Sequence, residues 1–193
     1  MFQYGYWVWK RALSPQTCDY IINEVPKDKL NLGTISGGKQ DTKIRDSDIY
    51  WLNKFWLYNE IVPFIKEANK KAGWNYHFDT YEEFQFTTYG PGKFYSWHMD
   101  TDVKPYETGN LKGKMRKLSV TLSLSDGKDY EGGEFEIDFR NTTPDKPNKL
   151  IIEELRNKGS LVVFPSYMWH KVHPVTSGRR LSLVLWSSGA PFR

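Results

Sequence analysis

The sequence has few of the residues from which proteins build crosslinks and metal clusters. Of its 193 residues one is a cysteine, Cys18, and four are histidines. A single thiol excludes a disulfide framework, a zinc finger and an iron–sulfur cluster. A metal site in this chain must therefore be assembled from histidine and carboxylate side chains.

Long hydrophobic runs and clustered charge are also missing. No apolar run approaches the roughly 20 residues that span a bilayer. The apolar N-terminus precedes Lys10 and Arg11, which is the reverse of the order in a secretory signal. We therefore expect a cytoplasmic protein with no membrane partner. The 27 Lys and Arg exceed the 23 Asp and Glu by only four and are spread along the chain, which disfavours a nucleic-acid partner.

Aromatic residues, in contrast, are abundant at 16% of the chain. This content and the length predict one folded domain over 1–193, with a helical N-terminal part over about 1–79. Ser14 and Pro15 begin a helix that ends before Pro26. A polar, glycine-rich loop is expected over 31–48. A second helix is expected over 51–72, kinked or split at Pro63.

From about residue 80 to 190 the hydrophobic period changes to two, with turn residues between short runs. Eight such runs with no helix between them predict a jelly roll, or double-stranded β-helix, with the N-terminal helices packed on one sheet. The runs lie at about 82–89, 94–101, 116–124, 133–139, 149–154, 160–164, 168–174 and 180–187. The longest irregular stretches are 102–115, which is our candidate lid, and 140–148.

His98 and Asp100 form an H-x-D pair within a predicted strand, so both side chains point to one face. Two histidines and a carboxylate on one face form the triad of non-haem Fe(II) oxygenases. The pair alone is weak evidence, because His77-Phe78-Asp79 is a second one; that pair precedes the first barrel strand, where a polar junction residue is expected. His170 or His173 could supply the third ligand. Strand phase favours His170, because His173 shares its face with Lys171.

Two further patterns face the predicted barrel interior. Arg180 lies ten residues past His170, across a turn, and an arginine inside a barrel needs an anionic partner. That partner is either a dicarboxylic acid bound through two hydrogen bonds or a carboxylate of the chain itself. Between Leu118 and Ser125 an apolar face alternates with a hydroxyl face. The hydroxyl face either lines a polar pocket or is solvated.

In order along the chain, these motifs resemble the Fe(II)/2-oxoglutarate-dependent dioxygenases, and among them the prolyl-4-hydroxylase-like branch. The resemblance covers about residues 45–187. The matching segments are Arg45-Asp46-Ser47, Asn69, Tyr89 to Asp100, Gly132 to Phe135, Phe164 to Ser166, His170 to Val175 and Gly178 to Trp186. In that family a proline follows the distal iron histidine by four residues, and an arginine follows it by nine or ten. Pro174 and Arg180 therefore select His170.

The resemblance implies an enzyme that couples hydroxylation of a peptidyl or amino-acid substrate to decarboxylation of 2-oxoglutarate to succinate and CO2. Fe(II), bound by the metal-binding and catalytic residues His98, Asp100 and His170, would be the cofactor, with 2-oxoglutarate and O2 as co-substrates and ascorbate as a reductant. Arg180 would bind the distal carboxylate of 2-oxoglutarate. The other cofactor-binding candidates are Tyr89, Ser123 and Trp186.

Two other functions stay open at this point. A nucleobase dealkylase would share the cofactors, but that branch carries a second arginine six residues after the first, where this chain has Trp186. A non-catalytic jelly-roll binding module would share the fold, and the ordered triad with Arg180 argues against it.

Overall fold

We analysed a computed structural model of the chain, which describes residues 4–35, 38–140 and 148–192. In these residues two helices pack beside a set of mainly antiparallel sheets. Neither helix is long and apolar enough to cross a membrane.

Helix α1 (Pro15–Asn23) begins where the sequence predicts, because the Ser14 hydroxyl accepts a hydrogen bond from the Thr17 amide at 3.0 Å. Helix α2 (Phe55–Lys71) runs without interruption through Pro63. It begins four residues later than predicted and ends before Gly73, whose φ of +73° favours glycine. Its buried side chains are Leu57, Ile61, Ile65 and Ala68.

Fifteen strands are assigned in the described residues. The eight predicted runs all contain one, and their bounds differ by a few residues. The strands are β1 (Trp7–Trp9), β2 (Asn31–Leu32), β3 (Arg45–Asp46), β4 (Asp48–Leu52), β5 (Thr80–Tyr81), β6 (Phe84–Tyr89), β7 (Phe94–His98), β8 (Met115–Ser123), β9 (Tyr130–Gly132), β10 (Phe135–Asp138), β11 (Lys149–Ile151), β12 (Leu161–Pro165), β13 (Trp169–Val172), β14 (Val175–Gly178) and β15 (Arg180–Gly189).

The N-terminal part is less helical than predicted. The expected loop over 31–48 holds β2 and β3 and the start of β4, and the expected helix from Trp51 begins as the end of β4. The two-residue strands β2 and β3 lie at sheet edges, where neighbouring strands determine the conformation more than local sequence does. Most of the predicted irregular stretch over 140–148 falls on residues 141–147, outside the described residues.

Two sheets face each other, as in a jelly roll. The major sheet has the order β1-β12-β8-β15-β6-β4-β2, with β5 also paired to β15. The minor sheet has the order β11-β10-β13-β7-β3, and β9 and β14 form a separate pair. The fold class predicted from the sequence is confirmed.

The two faces of the major sheet have different roles. The alternation predicted for β8 holds, since Leu118, Val120 and Leu122 lie in one core cluster with the buried faces of α1 and α2. The other face of the sheet turns toward the minor sheet and carries polar side chains. It is this second face that lines the main cavity.

Candidate active site

A cavity of about 340 Å³ lies between the two sheets. The major sheet contributes residues from four of its strands, and the minor sheet contributes a cluster of histidine, aspartate and aromatic side chains. The lining residues used below are Arg45, Trp51, Gln85, Tyr89, Tyr95, His98, Asp100, Tyr106, Arg116, Thr121, Phe135, His170, Arg180, Ser182, Val184 and Trp186.

His98, Asp100 and His170 form a cluster at the minor-sheet wall. His98 and His170 are register partners on the antiparallel strands β7 and β13. The Nε2 atoms of His98 and His170 lie 3.7 and 3.6 Å from the two carboxylate oxygens of Asp100. Each residue offers one ligand atom, and these atoms all lie within 4.8 Å of one another. Two imidazole nitrogens and one carboxylate oxygen are the donor set that suits ferrous iron with open positions.

Backbone carbonyls orient both imidazole rings. His98 Nδ1 lies 2.8 Å from the Ser96 carbonyl oxygen, and His170 Nδ1 lies 2.9 Å from the Met168 carbonyl oxygen. Since a carbonyl only accepts, each Nδ1 must carry a proton, which leaves Nε2 as the ring nitrogen that faces a metal. This arrangement prepares both rings for a metal.

Burial and polar neighbours control the charges of the cluster. Burial and the neighbouring His170 hold the pKa of His98 well below its ordinary value, so the ring is neutral. Burial opposes ionisation of Asp100, but interactions with His170, His98 and Arg116, and a hydrogen bond from Ser119, outweigh it and lower its pKa. His98 therefore presents the neutral form and Asp100 the carboxylate form that bind metals.

Aromatic rings enclose the cluster on several sides. The Tyr95 ring stacks on His98 with ring centroids 3.5 Å apart. The Phe164 and Phe135 rings lie 4.8 and 5.5 Å from His170. Bulky rings on rigid strands limit the space open to water and hold the histidines in place.

Arg180 lies on the major-sheet wall and is only 2% exposed. One Nη donates to the Ser182 hydroxyl at 3.2 Å, while the other is buried with no hydrogen-bond partner. The Tyr89 ring lies 5.6 Å from the guanidinium carbon. No carboxylate of the described residues pairs with Arg180, so the alternative of an internal ion pair finds no support there. An orphaned buried guanidinium nitrogen instead fits a carboxylate ligand.

The other predicted cofactor residues differ in position. Tyr89 and Trp186 line the cavity and are 3% and 5% exposed. Ser123 is not among the lining residues, and its hydroxyl donates to the Ser125 carbonyl at 3.1 Å. On the same face of β8, Thr121 is the residue that reaches the cavity.

The remaining two histidines lie outside the cluster. His77 is exposed and precedes β5. His173 Nε2 lies 2.8 Å from Glu136, which also pairs with Lys171 at 3.0 Å. The face that strand phase assigned to His173 and Lys171 is therefore the one away from the cavity.

Sequence reasoning missed three cavity residues that carry charge or hydrogen bonds: Arg45, Arg116 and Gln85. Arg45 was noticed only as part of the family resemblance. Arg116 reaches the cavity through a bulge, because Ser187 opposes Leu118 while Ser188 opposes Arg116, leaving Lys117 as the extra residue. A bulge reverses the faces of the residues beyond it, so simple alternation could not place Arg116.

The sequence model of the 2OG-Fe(II) oxygenase superfamily matches residues 84–188. The chain belongs to this superfamily. The match includes all three residues of the cluster and Arg180. Fe(II), 2-oxoglutarate and O2 are the cofactor and co-substrates of the superfamily, and the donor set and the orphaned Arg180 nitrogen described above fit the first two.

Curated relatives match about half of the chain. It is 32% identical over 103 residues to a PKHD-type hydroxylase of Pseudoalteromonas atlantica, a match over 53% of this chain and 41% of the relative. It is 37% identical over 101 residues to a PKHD-type hydroxylase of Shewanella oneidensis, over 52% and 40% of the two chains. The matches thus span about two fifths of the length of these relatives.

Solved structures share the whole fold. A prolyl-4-hydroxylase of Pseudomonas putida superposes with a TM-score of 0.67 and 22% identity, over 95% of this chain and 91% of that one. A prolyl hydroxylase of Trichoplax adhaerens, in complex with a peptide fragment of the hypoxia inducible factor, superposes with a TM-score of 0.71 and 19% identity, over 95% and 83%.

Proposed function

We propose that this protein is an Fe(II)- and 2-oxoglutarate-dependent hydroxylase of a peptidyl or amino-acid substrate. The observation that carries the proposal is one cavity with a metal-type cluster on one wall and an unpaired guanidinium on the other. The superfamily membership and the hydroxylase names of the relatives support the reaction class. The peptide complex of the Trichoplax neighbour supports a peptide as the first substrate to try.

In this proposal each wall has a separate role. His98, Asp100 and His170 would hold iron through Nε2 and carboxylate oxygens, with the ring orientation set by Ser96 and Met168. Arg180 would bind the distal carboxylate of 2-oxoglutarate through its free nitrogen. When bound, iron supplies the O2 chemistry that turns 2-oxoglutarate into succinate and CO2 and adds one oxygen atom to the substrate.

The cavity walls would protect this chemistry from water. Tyr95, Phe135 and Phe164 cover the cluster, and Trp186 continues the apolar wall toward the mouth. The loop between β7 and β8, predicted as a lid, carries Tyr106 into the cavity lining. Exclusion of water at this position favours a single reaction path.

The experiment that tests the proposal measures succinate formation by the purified chain with Fe(II), 2-oxoglutarate and O2. A peptide and metabolite panel is then read by a mass gain of one oxygen, about 16 Da. We expect iron-dependent succinate and an oxidised peptide or amino acid. Demethylation of oligonucleotides without any peptide oxidation would instead identify a dealkylase, and absence of iron-dependent succinate would return the chain to a binding module.

A further inference from the structure

Arg45 is a second buried guanidinium in the same cavity. It is 6% exposed and lines the cavity. It donates to three neutral oxygens, those of the Ser47 hydroxyl, the Thr34 carbonyl and the Gln85 side chain, at 2.9, 2.8 and 2.7 Å. Its guanidinium carbon lies 4.6 Å from the centre of the Tyr95 ring.

The charge of Arg45 has no carboxylate partner within the described part of the chain. A guanidinium has five N–H donors, and three of those of Arg45 are used. Arg116, on the same cavity, shows the alternative, since Glu82 binds it through two hydrogen bonds. An uncompensated buried charge is costly, so the cavity is built for an anion at Arg45 as well as at Arg180.

Strand register separates the two unpaired guanidiniums. On β6, Tyr89 is the register partner of Arg180. Arg45 binds Gln85, which lies four residues from Tyr89 on the same strand face and so about 13 Å away at 3.3 Å per residue. Gln85 is the register partner of Trp51, which is 41% exposed. Arg45 therefore serves the outer part of the cavity.

A charge balance of the proposed site points to the same conclusion. Two positive charges of iron and one of Arg180 equal the three negative charges of Asp100 and 2-oxoglutarate. Glu82 already balances Arg116. Asp102 also lines the cavity, but it is exposed to solvent, so Arg45 is left as the one buried cation of the described cavity residues without a compensating carboxylate.

We propose that Arg45 binds a carboxylate of the substrate, so that the substrate class is a carboxylate-bearing amino acid or peptide. This inference rests on the proposed hydroxylase function. The carboxylate could be a chain terminus or an acidic side chain next to the oxidised residue, because both offer the same two oxygens to a guanidinium. The competing explanation is a brace that joins the Thr34 segment to β6.

The first experiment compares carboxylate probes with their amides by calorimetry. The protein is loaded with Zn(II), which accepts His and Asp ligands, and with saturating 2-oxoglutarate. N-acetyl-prolyl-glycine and its amide test a terminal carboxylate. N-acetyl-prolyl-glutamate amide and the matching glutamine peptide test a side chain, and each pair is repeated with alanine for proline. We expect at least one carboxylate probe to bind about 10-fold tighter than its amide.

Variants then assign that preference to Arg45. Arg45→Gln should reduce it to within about twofold, and Arg45→Lys should keep part of it because the charge stays. Arg179→Gln, which removes one charge from an exposed position, should leave it unchanged. Binding of 2-oxoglutarate should be the same in all three variants, which also shows that they are folded.

The outcomes separate this inference from the proposed function. Equal binding of acids and amides by the wild type, or no binding of any probe, would overturn the Arg45 assignment even if Arg45→Gln cannot fold. An Arg45→Gln variant that needs much more 2-oxoglutarate would also overturn it. Iron-dependent succinate formation, measured in parallel, decides the proposed function independently of both results.

Discussion

Two arginines of the cavity differ in their partners: Arg180, which is buried at what we call the inner end, and Arg116, which is half-buried at what we call the mouth. At the mouth, Glu82 accepts two hydrogen bonds from Arg116 at 2.8 and 2.6 Å, and the Trp186 ring lies 3.8 Å from the guanidinium carbon. At the inner end, Arg180 has the Ser182 hydroxyl at 3.2 Å and one nitrogen without a partner.

Arg116 thus has its counter-charge within the protein, whereas Arg180 is left to bind the carboxylate of a ligand. Burial disfavours the charged form of Arg116, but Glu82 more than compensates and raises its pKa above the ordinary value. The Arg116–Glu82 pair is thus electrostatically complete before any ligand arrives, whereas Arg45, in the outer part of the cavity, has only neutral oxygen partners. The inner end is incomplete, because a buried guanidinium without an anion is unstable until a ligand carboxylate supplies the charge.

The most severe test removes the metal ligands at the inner end. His98→Ala, Asp100→Ala and His170→Ala should each abolish iron-dependent succinate formation. Iron affinity should fall by more than the roughly 100-fold loss that outer-shell changes cause. Iron binding is measured by calorimetry without oxygen, and succinate by mass spectrometry.

His173→Ala is the matched control for the histidine substitutions. It removes an imidazole that pairs with Glu136 on the other face of β13, so iron binding and succinate formation should be retained. An inactive His173→Ala protein beside an active His170→Ala protein would show that the wrong histidine has been assigned to the metal.

The second test replaces Arg180, the arginine proposed to bind 2-oxoglutarate. Arg180→Gln should raise the 2-oxoglutarate concentration for half-maximal succinate formation by roughly 30-fold or more, because losing one partner of a buried charge pair costs about 2–5 kcal/mol. Iron affinity should change little. Arg179→Gln removes a neighbouring exposed charge and should behave as the wild type. Unchanged 2-oxoglutarate dependence in Arg180→Gln would show that Arg180, like Arg116, does not bind the ligand.

The third test removes the carboxylate partner of Arg116, so that this arginine, like Arg180, has no anion beside it. Glu82→Gln leaves the half-buried Arg116 without its carboxylate partner and should lower the free energy of unfolding by about 3 kcal/mol. Denaturant unfolding measures this change. Glu83→Gln is the control, since Glu83 is exposed and accepts one hydrogen bond from Asn53. Equal stability of the two variants would mean that the Arg116 pair does not complete the mouth.

The sequence alone predicted the inner end better than the mouth. His98, His170 and Arg180 lie on strands, where a period of two assigns each side chain to a face, and Asp100 follows the end of β7 by two residues. Arg116 lies beyond a bulge in β8, and the local sequence pattern does not predict that bulge. Arg45 lies on a two-residue edge strand within a segment whose composition indicated a loop.

The fold shows the same division. The eight predicted strands alternate clearly, so period and turn residues located them. The short strands β2, β3 and β5 have two residues each, and only their pairing with β4, β7 and β15 makes them strands. Ser123 lies on the predicted hydroxyl face, but its hydroxyl donates to the Ser125 carbonyl. The alternation of a strand assigns a side chain to a face and cannot show which hydroxyl of that face reaches the cavity.

The smallest effect is expected at the edge of the mouth, where Tyr106 donates to Glu82 over a long 3.4 Å. Tyr106→Phe should cost at most about 1 kcal/mol in unfolding free energy near pH 7, because Glu82 keeps its bonds from Arg116 and Ser188. Burial raises the pKa of Tyr106 to about 12, above the ordinary value near 10. The folded protein therefore holds this proton longer than the unfolded chain does.

The sign of the pH dependence follows from that difference. The stability that the neutral phenol contributes is fully present below about pH 10 and is lost as the pH rises toward 12. The wild type should thus lose its advantage over Tyr106→Phe only in that alkaline range, in unfolding curves recorded from pH 7 to 11. An advantage that disappears between pH 7 and 9 would show that the Tyr106 phenol is not held by the hydrogen bonds around Glu82. The hydrogen bonding of Glu82 at the mouth would then be limited to its other donors, Arg116 and Ser188.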